Sequence, residues 1–181
     1  MTQYGRGGLN LTAQAALSHT RLLEVLAYNA KTGAFTWRIQ LNKRDTHAKV
    51  GDVAGSHTTR YCRIQIDGYR YPAHRLAWFY THGEWPENEL DHRLRVPSDN
   101  RLSELRPATR SQNAINRKLH KNNTSGAKGV RWNIQMKRWC AFITKDRRRF
   151  YLGGFKTFRE AVTTQQQAEQ RLFGEFAGEA A

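Results

Sequence analysis

Glu89-Leu90-Asp91-His92, then Arg95-Val96-Pro97-Ser98-Asp99-Asn100-Arg101-Leu102, then Thr109-Arg110-Ser111-Gln112-Asn113: the reading of the fold turns on this stretch. Asn88 to His92 reads as a strand, Pro97 to Asn100 as a turn, and Leu102 to Leu105 as the start of a return strand. Thr109 followed three residues later by Gln112 is a capping-box pattern that marks a helix start, and the helix is expected to run to about Leu119. A strand, a polar hairpin and a helix therefore carry Asp91, His92 and Asn113 in that order.

Working outward, residues 1–11 are Gly-rich and expected to be loose. Leu17, Leu22, Leu23 and Leu26 fit one face of a helix over about 12–28. Ala34 to Ile39 reads as a strand, and 40–49 as a polar loop. Tyr61 to Ile66 alternates, Asp67-Gly68 is a hairpin turn, and Tyr69 to Tyr71 returns until Pro72. His74 to His82 has the spacing of a short helix, ended by Gly83-Glu84-Trp85-Pro86. After a polar linker at 120–125, Gly129 to Trp132, Arg138 to Ile143 and Arg149 to Leu152 read as three antiparallel strands. Thr157 to Glu160 is a second capping box, opening a helix with Ala161, Val162, Gln165, Ala168 and Leu172 on one face. The expected class is α+β, divided into a loose 1–11, an α/β support region at 12–87, a hairpin-and-helix module at 88–119, the linker, and a sheet-plus-helix domain at 126–181.

Thirty Lys and Arg against fifteen Asp and Glu give a formal net charge of +15 over 181 residues. Such an imbalance repels itself, which points to a polyanionic partner, nucleic acid before membrane surface. No stretch approaches the ~20 apolar residues of a membrane span, and the N-terminus lacks the apolar core of a secretory signal, so a cytoplasmic location is expected. Cys62 and Cys140 are the only cysteines, without a Cys-x-x-Cys pair; they are expected as free thiols and a zinc module is excluded.

The three marked side chains suit phosphodiester hydrolysis, which needs an activated water and relief of phosphoryl charge. Asp91 and Asn113 offer hard oxygen ligands, suited to Mg²⁺ or Mn²⁺ rather than zinc. A histidine titrating near ~6.5, as His92 would if unshifted, can take a proton from water at neutral pH. His74 reads as a packing residue or a phosphate contact.

The arrangement resembles the HNH endonucleases, whose ββα-metal site cuts DNA with one divalent cation. The resemblance implies Asp91 and Asn113 as metal ligands, His92 as general base, and Asn100 as a family position in the hairpin turn. The family usually carries an Asn-Leu pair on the second strand; here the dipeptide is Glu104-Leu105. Glu104 either braces the loop through its carboxylate or perturbs His92 by its charge.

Residues 124–177 resemble an AP2 DNA-binding domain, through Ser125-Gly-Ala-Lys-Gly-Val-Arg131, Lys137-Arg-Trp139, Tyr151-Leu-Gly-Gly-Phe155, Thr157-Phe-Arg-Glu-Ala161 and Phe173-Gly-Glu-Phe-Ala177. The resemblance implies a three-stranded sheet laid into the major groove of duplex DNA, with the helix behind it. Eleven Lys and Arg but one acid, Asp146, lie between 117 and 149. Arg131, Arg138 and Arg149 are the expected DNA contacts; Trp132 and Trp139 either pack on sugar or base edges or belong to the core.

The combined expectation is a divalent-metal-dependent HNH endonuclease of phage or homing type, targeted by an AP2-like domain and acting on double-stranded DNA as monomer or homodimer. A sequence-specific DNA-binding protein with a degenerate site is the alternative, supported by Glu104. An RNA-binding protein is a further rival, against which stands the lack of an RNP-type aromatic sheet or a GXXG loop. Residues 12–87 either contact DNA, through Arg60, Arg63 and Arg70, or mainly support the catalytic module.

Overall fold

The computed structural model describes residues 11–41, 48–56, 61–117 and 119–177; Arg60, Lys118 and residues 1–10 of the expected loose segment lie outside the described residues. The chain forms two compact units, Met1–Pro107 and Ala108–Ala181, and the division falls inside the 88–119 segment. Helices combine with small antiparallel sheets, an α+β composition.

In the first unit, the single helix expected over 12–28 is two helices and a strand. Helix α1 is Leu11–Ala16, α2 is His19–Val25 and β1 is Leu26–Asn29. The break comes at Ser18, whose Oγ accepts from the Arg21 amide at 3.1 Å and so caps a new helix. Leu26–Asn29 is then drawn into pairing with β2, Ala34–Trp37, opposite Trp37 and Phe35. Of the four marked leucines, Leu17, Leu22 and Leu26 are buried while Leu23 is only half-buried; Val25, which the pattern did not mark, is buried beside them. Strands β3, Arg63–Ile66, and β4, Tyr69–Pro72, form the expected hairpin, with positive φ at both Asp67 and Gly68. Helix α3, Ala73–His82, buries Leu76, Ala77 and Phe79 in one core with Leu22, Phe35, Ile64, Ile66 and Tyr71. Strands β5, Glu89–His92, and β6, Leu105–Ala108, pair with each other. Leu105 enters that same core, which anchors the second hairpin. Residues 102–104, expected to start the return strand, instead form a 3-10 turn, Leu102–Glu104, ahead of it.

Two contacts show what the early elements do. The Tyr28 hydroxyl donates to the Asn100 carbonyl at 2.7 Å. Gly33, at φ +73°, lies so near the second hairpin's loop that a Cβ there would stand 2.6 Å from the Arg101 amide nitrogen and 2.7 Å from the Asn100 carbonyl carbon. The β1–β2 hairpin is a buttress for the Pro97–Arg101 turn.

In the second unit, helix α4, Arg110–Ile115, opens on Thr109 with both halves of the capping box formed. It is shorter than expected: Asn116 caps it, and the run that follows to Asn123 is polar apart from Leu119, which is exposed. Strands β7, Val130–Asn133, β8, Arg138–Lys145, and β9, Arg148–Phe155, form an antiparallel sheet in that order. Asp146 and Arg147 supply the two positive φ angles of the β8–β9 turn. Helix α5, Phe158–Phe173, starts at the Thr157–Glu160 capping box and buries Ala161 against Val130 and Ala141. Of the expected helix face, Ala161 and Gln165 are buried, but Leu172 is exposed and Phe173 takes its place, packing with Ile143 and Phe176. Both cysteines are free, as expected, and both are buried.

Candidate active site

Asp91 and His92 are the last two residues of β5. Both are buried, 5% and 7% exposed, where Asp and His are more often left to solvent. The Asp91 carboxylate is held by a residue that the sequence did not single out. Oδ2 accepts from Arg106 Nε at 3.0 Å and from Arg106 Nη2 at 2.9 Å, and Arg106 is itself 6% exposed. Arg106 lies on β6, so the pairing of the two strands brings the charges together. A cue was present: an arginine beside the apolar Leu105 on the strand returning past an aspartate.

His92 lies in a cluster of rings. His74, on the first turn of α3, meets it at 5.2 Å between centroids, edge to face at 69°. Tyr61 stands 5.6 Å from His74 and 6.1 Å from His92. Burial pulls the His92 pKa below the ordinary imidazole value, with the Asp91 and Asp99 charges opposing. His74 is pulled down to about 3, first by burial and then by the charges of His92 and Arg75. Both rings are therefore neutral near pH 7, the form a general base requires.

The loop between the strands is tied to itself. Asp99 grips Arg101 through both carboxylate oxygens, the closest contact 2.6 Å, and these bonds hold the Asp99 carboxyl below its ordinary range. Asn100 is buried and donates from Nδ2 to the Ser98 carbonyl at 3.2 Å. The Glu104 carbonyl accepts from the Arg93 amide at 2.9 Å, and its carboxylate approaches Arg101 at 3.8 Å. The Glu104 Oε2 is buried and has no hydrogen-bond partner among the described residues.

Asn113 belongs to the second unit, half-buried on α4, its amide donating to the Thr109 carbonyl at 2.9 Å. Helix α4 is fixed to the sheet of that unit. Ser111 Oγ donates to Asp146 Oδ1 at 2.9 Å and accepts from the Asp146 amide at 3.1 Å, while Lys128 donates to the Ile115 carbonyl. The lone acid and one of the lysines of the basic segment thus tie α4 to the sheet.

The strand register sorts the expected DNA contacts. Arg131 lies opposite Cys140, Arg138 opposite Asn133, and Arg149 opposite Thr144, all on one face of the sheet. On that face Phe142 sits under two guanidinium groups, Arg131 at 4.8 Å and Arg149 at 4.6 Å. Trp132 and Trp139 face the other way. They meet edge to face at 5.3 Å, and Trp139 packs on Phe158 of α5.

A divalent cation fits these donors in kind. Asp91 Oδ2 meets Arg106, and a carboxylate has lone pairs enough for a guanidinium and a metal together. Among the described residues no group of three or more His, Cys, Asp or Glu is arranged to hold a metal. No helix among the described residues is long and apolar enough to cross a membrane.

Residues 71–115, which include α3, the β5–β6 hairpin and α4, match the family model of an HNH endonuclease. The chain is also 29% identical over 111 residues to Protein 3.8 of Escherichia phage T7, a stretch covering 60% of this chain and 91% of that one. No solved structure matches. The family match, over the segment that holds Asp91, His92 and Asn113, supports nuclease chemistry.

Proposed function

We propose that the protein is a divalent-metal-dependent DNA endonuclease of the HNH type, with His92 as general base and Asp91 and Asn113 as oxygen ligands. The observation that carries the reading is a neutral, buried histidine beside a buried aspartate at the end of β5, inside the segment that matches the HNH endonuclease family. The cation, Mg²⁺ or Mn²⁺, would supply charge relief on the phosphate and at the leaving oxygen. His92 takes the proton of the attacking water. Arg106 holds the Asp91 carboxylate in orientation.

The second unit is the targeting part, an AP2-like domain whose open sheet face meets duplex DNA through Arg131, Arg138 and Arg149. Two of these guanidinium groups lie over the Phe142 ring, a cation–π contact that supports the reading of this face as the one that meets DNA. Trp139 serves the core of the unit. One such nuclease centre cuts one strand per event, so a monomer nicks and a double-strand break requires two copies or two visits. The relative from a phage agrees with a phage or mobile-element enzyme.

The test is a supercoiled plasmid incubated with Mg²⁺ or Mn²⁺, with EDTA, and with the His92→Ala protein. Metal-dependent relaxed circles that vanish in the variant are expected. A second reading, a DNA-binding protein with an inactive centre, draws on the Asp91–Arg106 pair, which engages the carboxylate a metal would use. It predicts intact plasmid on host or phage DNA, with tight metal-independent binding.

A further inference from the structure

We propose that His74 is a positioning residue for the general base: its ring fixes the plane of the His92 imidazole. The proposal rests on the nuclease reading and concerns a side chain to which that reading gives no part.

Three observations carry it. The rings of Tyr61, His74 and His92 are in mutual contact, and the edge-to-face meeting of the two imidazoles limits how far His92 can rotate about its side-chain bonds. His74 stands on a rigid element. Its helix is locked in the core by Leu76 and Ala77, both 0% exposed, and the Ala73 amide donates to the Cys62 carbonyl at 3.0 Å. The neighbouring Arg75 reaches the carbonyls of Pro86, at 3.0 Å, and Asn88, at 3.4 Å, just ahead of β5. One turn of helix therefore both locates the strand that carries His92 and lays a ring against His92. Finally, His74 Nδ1 is fully covered and has no hydrogen-bond partner among the described residues. Among the described residues it is the ring itself that meets its neighbours, Tyr61 and His92.

A base out of place by ~1 Å can lose on the order of 100-fold in rate. The experiment measures nicking of supercoiled plasmid by the full chain in Mn²⁺ at several DNA concentrations, for wild type, His74→Ala, His74→Phe and His92→Ala. His74→Ala is expected to lower kcat by about 10- to 100-fold with KM held within roughly twofold. His74→Phe, which restores a flat ring of similar reach without its nitrogens, is expected to recover most of the rate. If His74→Ala fails to fold, as judged by thermal melting, the contrast of His74→Phe (active) with His74→Gln (slow) replaces it.

Three outcomes overturn the proposal. Equal loss in the Ala and Phe variants means that a ring nitrogen acts directly. A raised KM with kcat kept means a phosphate contact. Unchanged kinetics in His74→Ala means no role. The nuclease reading fails separately, if wild type does not nick or if His92→Ala nicks as fast as wild type.

Discussion

The β5–β6 hairpin and the three-stranded sheet both display charge, but in opposite physical settings. On the hairpin, Asp91, His92 and Arg106 are each less than 8% exposed, and each is fixed by a ring or an ion pair. On the sheet, Arg131 and Arg149 are exposed and lean on a single aromatic ring. Buried charge must be matched at close range because desolvation is costly, and it is thereby held still. Open charge is screened by water and salt, and is free to meet a polyanion. The first setting suits chemistry that depends on orientation, the second an attraction that depends on ionic strength.

The contrast can be broken most forcefully at Arg106. Arg106→Ala strands the Asp91 carboxylate in a buried site and is expected to cost about 3–5 kcal/mol, read from urea unfolding. A loss under about 1 kcal/mol would show that the hairpin's charges are as cheap as those of the sheet.

His74 sharpens the same point through pH. An unfolded imidazole titrates near 6.5, whereas the folded one is held down to about 3. The unfolded chain therefore binds the proton first. Stability is full above pH 6.5 and falls between 6.5 and about 3, with a limiting slope of about 1.4 kcal/mol per pH unit. His74→Phe should make unfolding free energy flatter across that window; an unchanged slope would show that this ring does not sit neutral in the fold.

On the sheet the expected pattern reverses. Arg131→Ala and Arg149→Ala should weaken duplex binding and lower the salt slope by about one each where the arginine meets a phosphate, while unfolding shifts by less than about 0.5 kcal/mol. Filter binding across a salt series checks the first and chemical denaturation the second. The smallest effect is expected away from both charge clusters. Thr157→Ala removes the cap that accepts from the Glu160 amide, at about 1 kcal/mol, without altering DNA binding.

Much of this was legible from local chemistry. The Asp67-Gly68 turn, both capping boxes and the three strands of the second unit follow from residue type and period. What was misread depended on pairing. Leu26–Asn29 has a helical pattern of leucines before it, and only its partner Ala34–Trp37 makes it a strand. Leu102–Glu104 reads as strand by residue type but is turned by a local bond, the Glu104 amide donating to the Arg101 carbonyl at 3.0 Å. At the site, His92 and Asp91 announce themselves as a dipeptide. Arg106 and the His74 contact do not, because strand pairing and helix docking bring them in from positions fifteen and eighteen residues away. Only the strand register puts Arg131, Arg138 and Arg149 on one face and Trp132 and Trp139 on the other.

The close approach of Gly33 to the Asn100–Arg101 backbone bears on how such a cutting module can be moved between proteins. A graft that took residues 89–108 alone would leave behind the glycine and the Tyr28 hydroxyl against which their loop is moulded. The smallest fragment that carries its own mould starts no later than Leu26, some sixty residues upstream of the residues that would do the cutting.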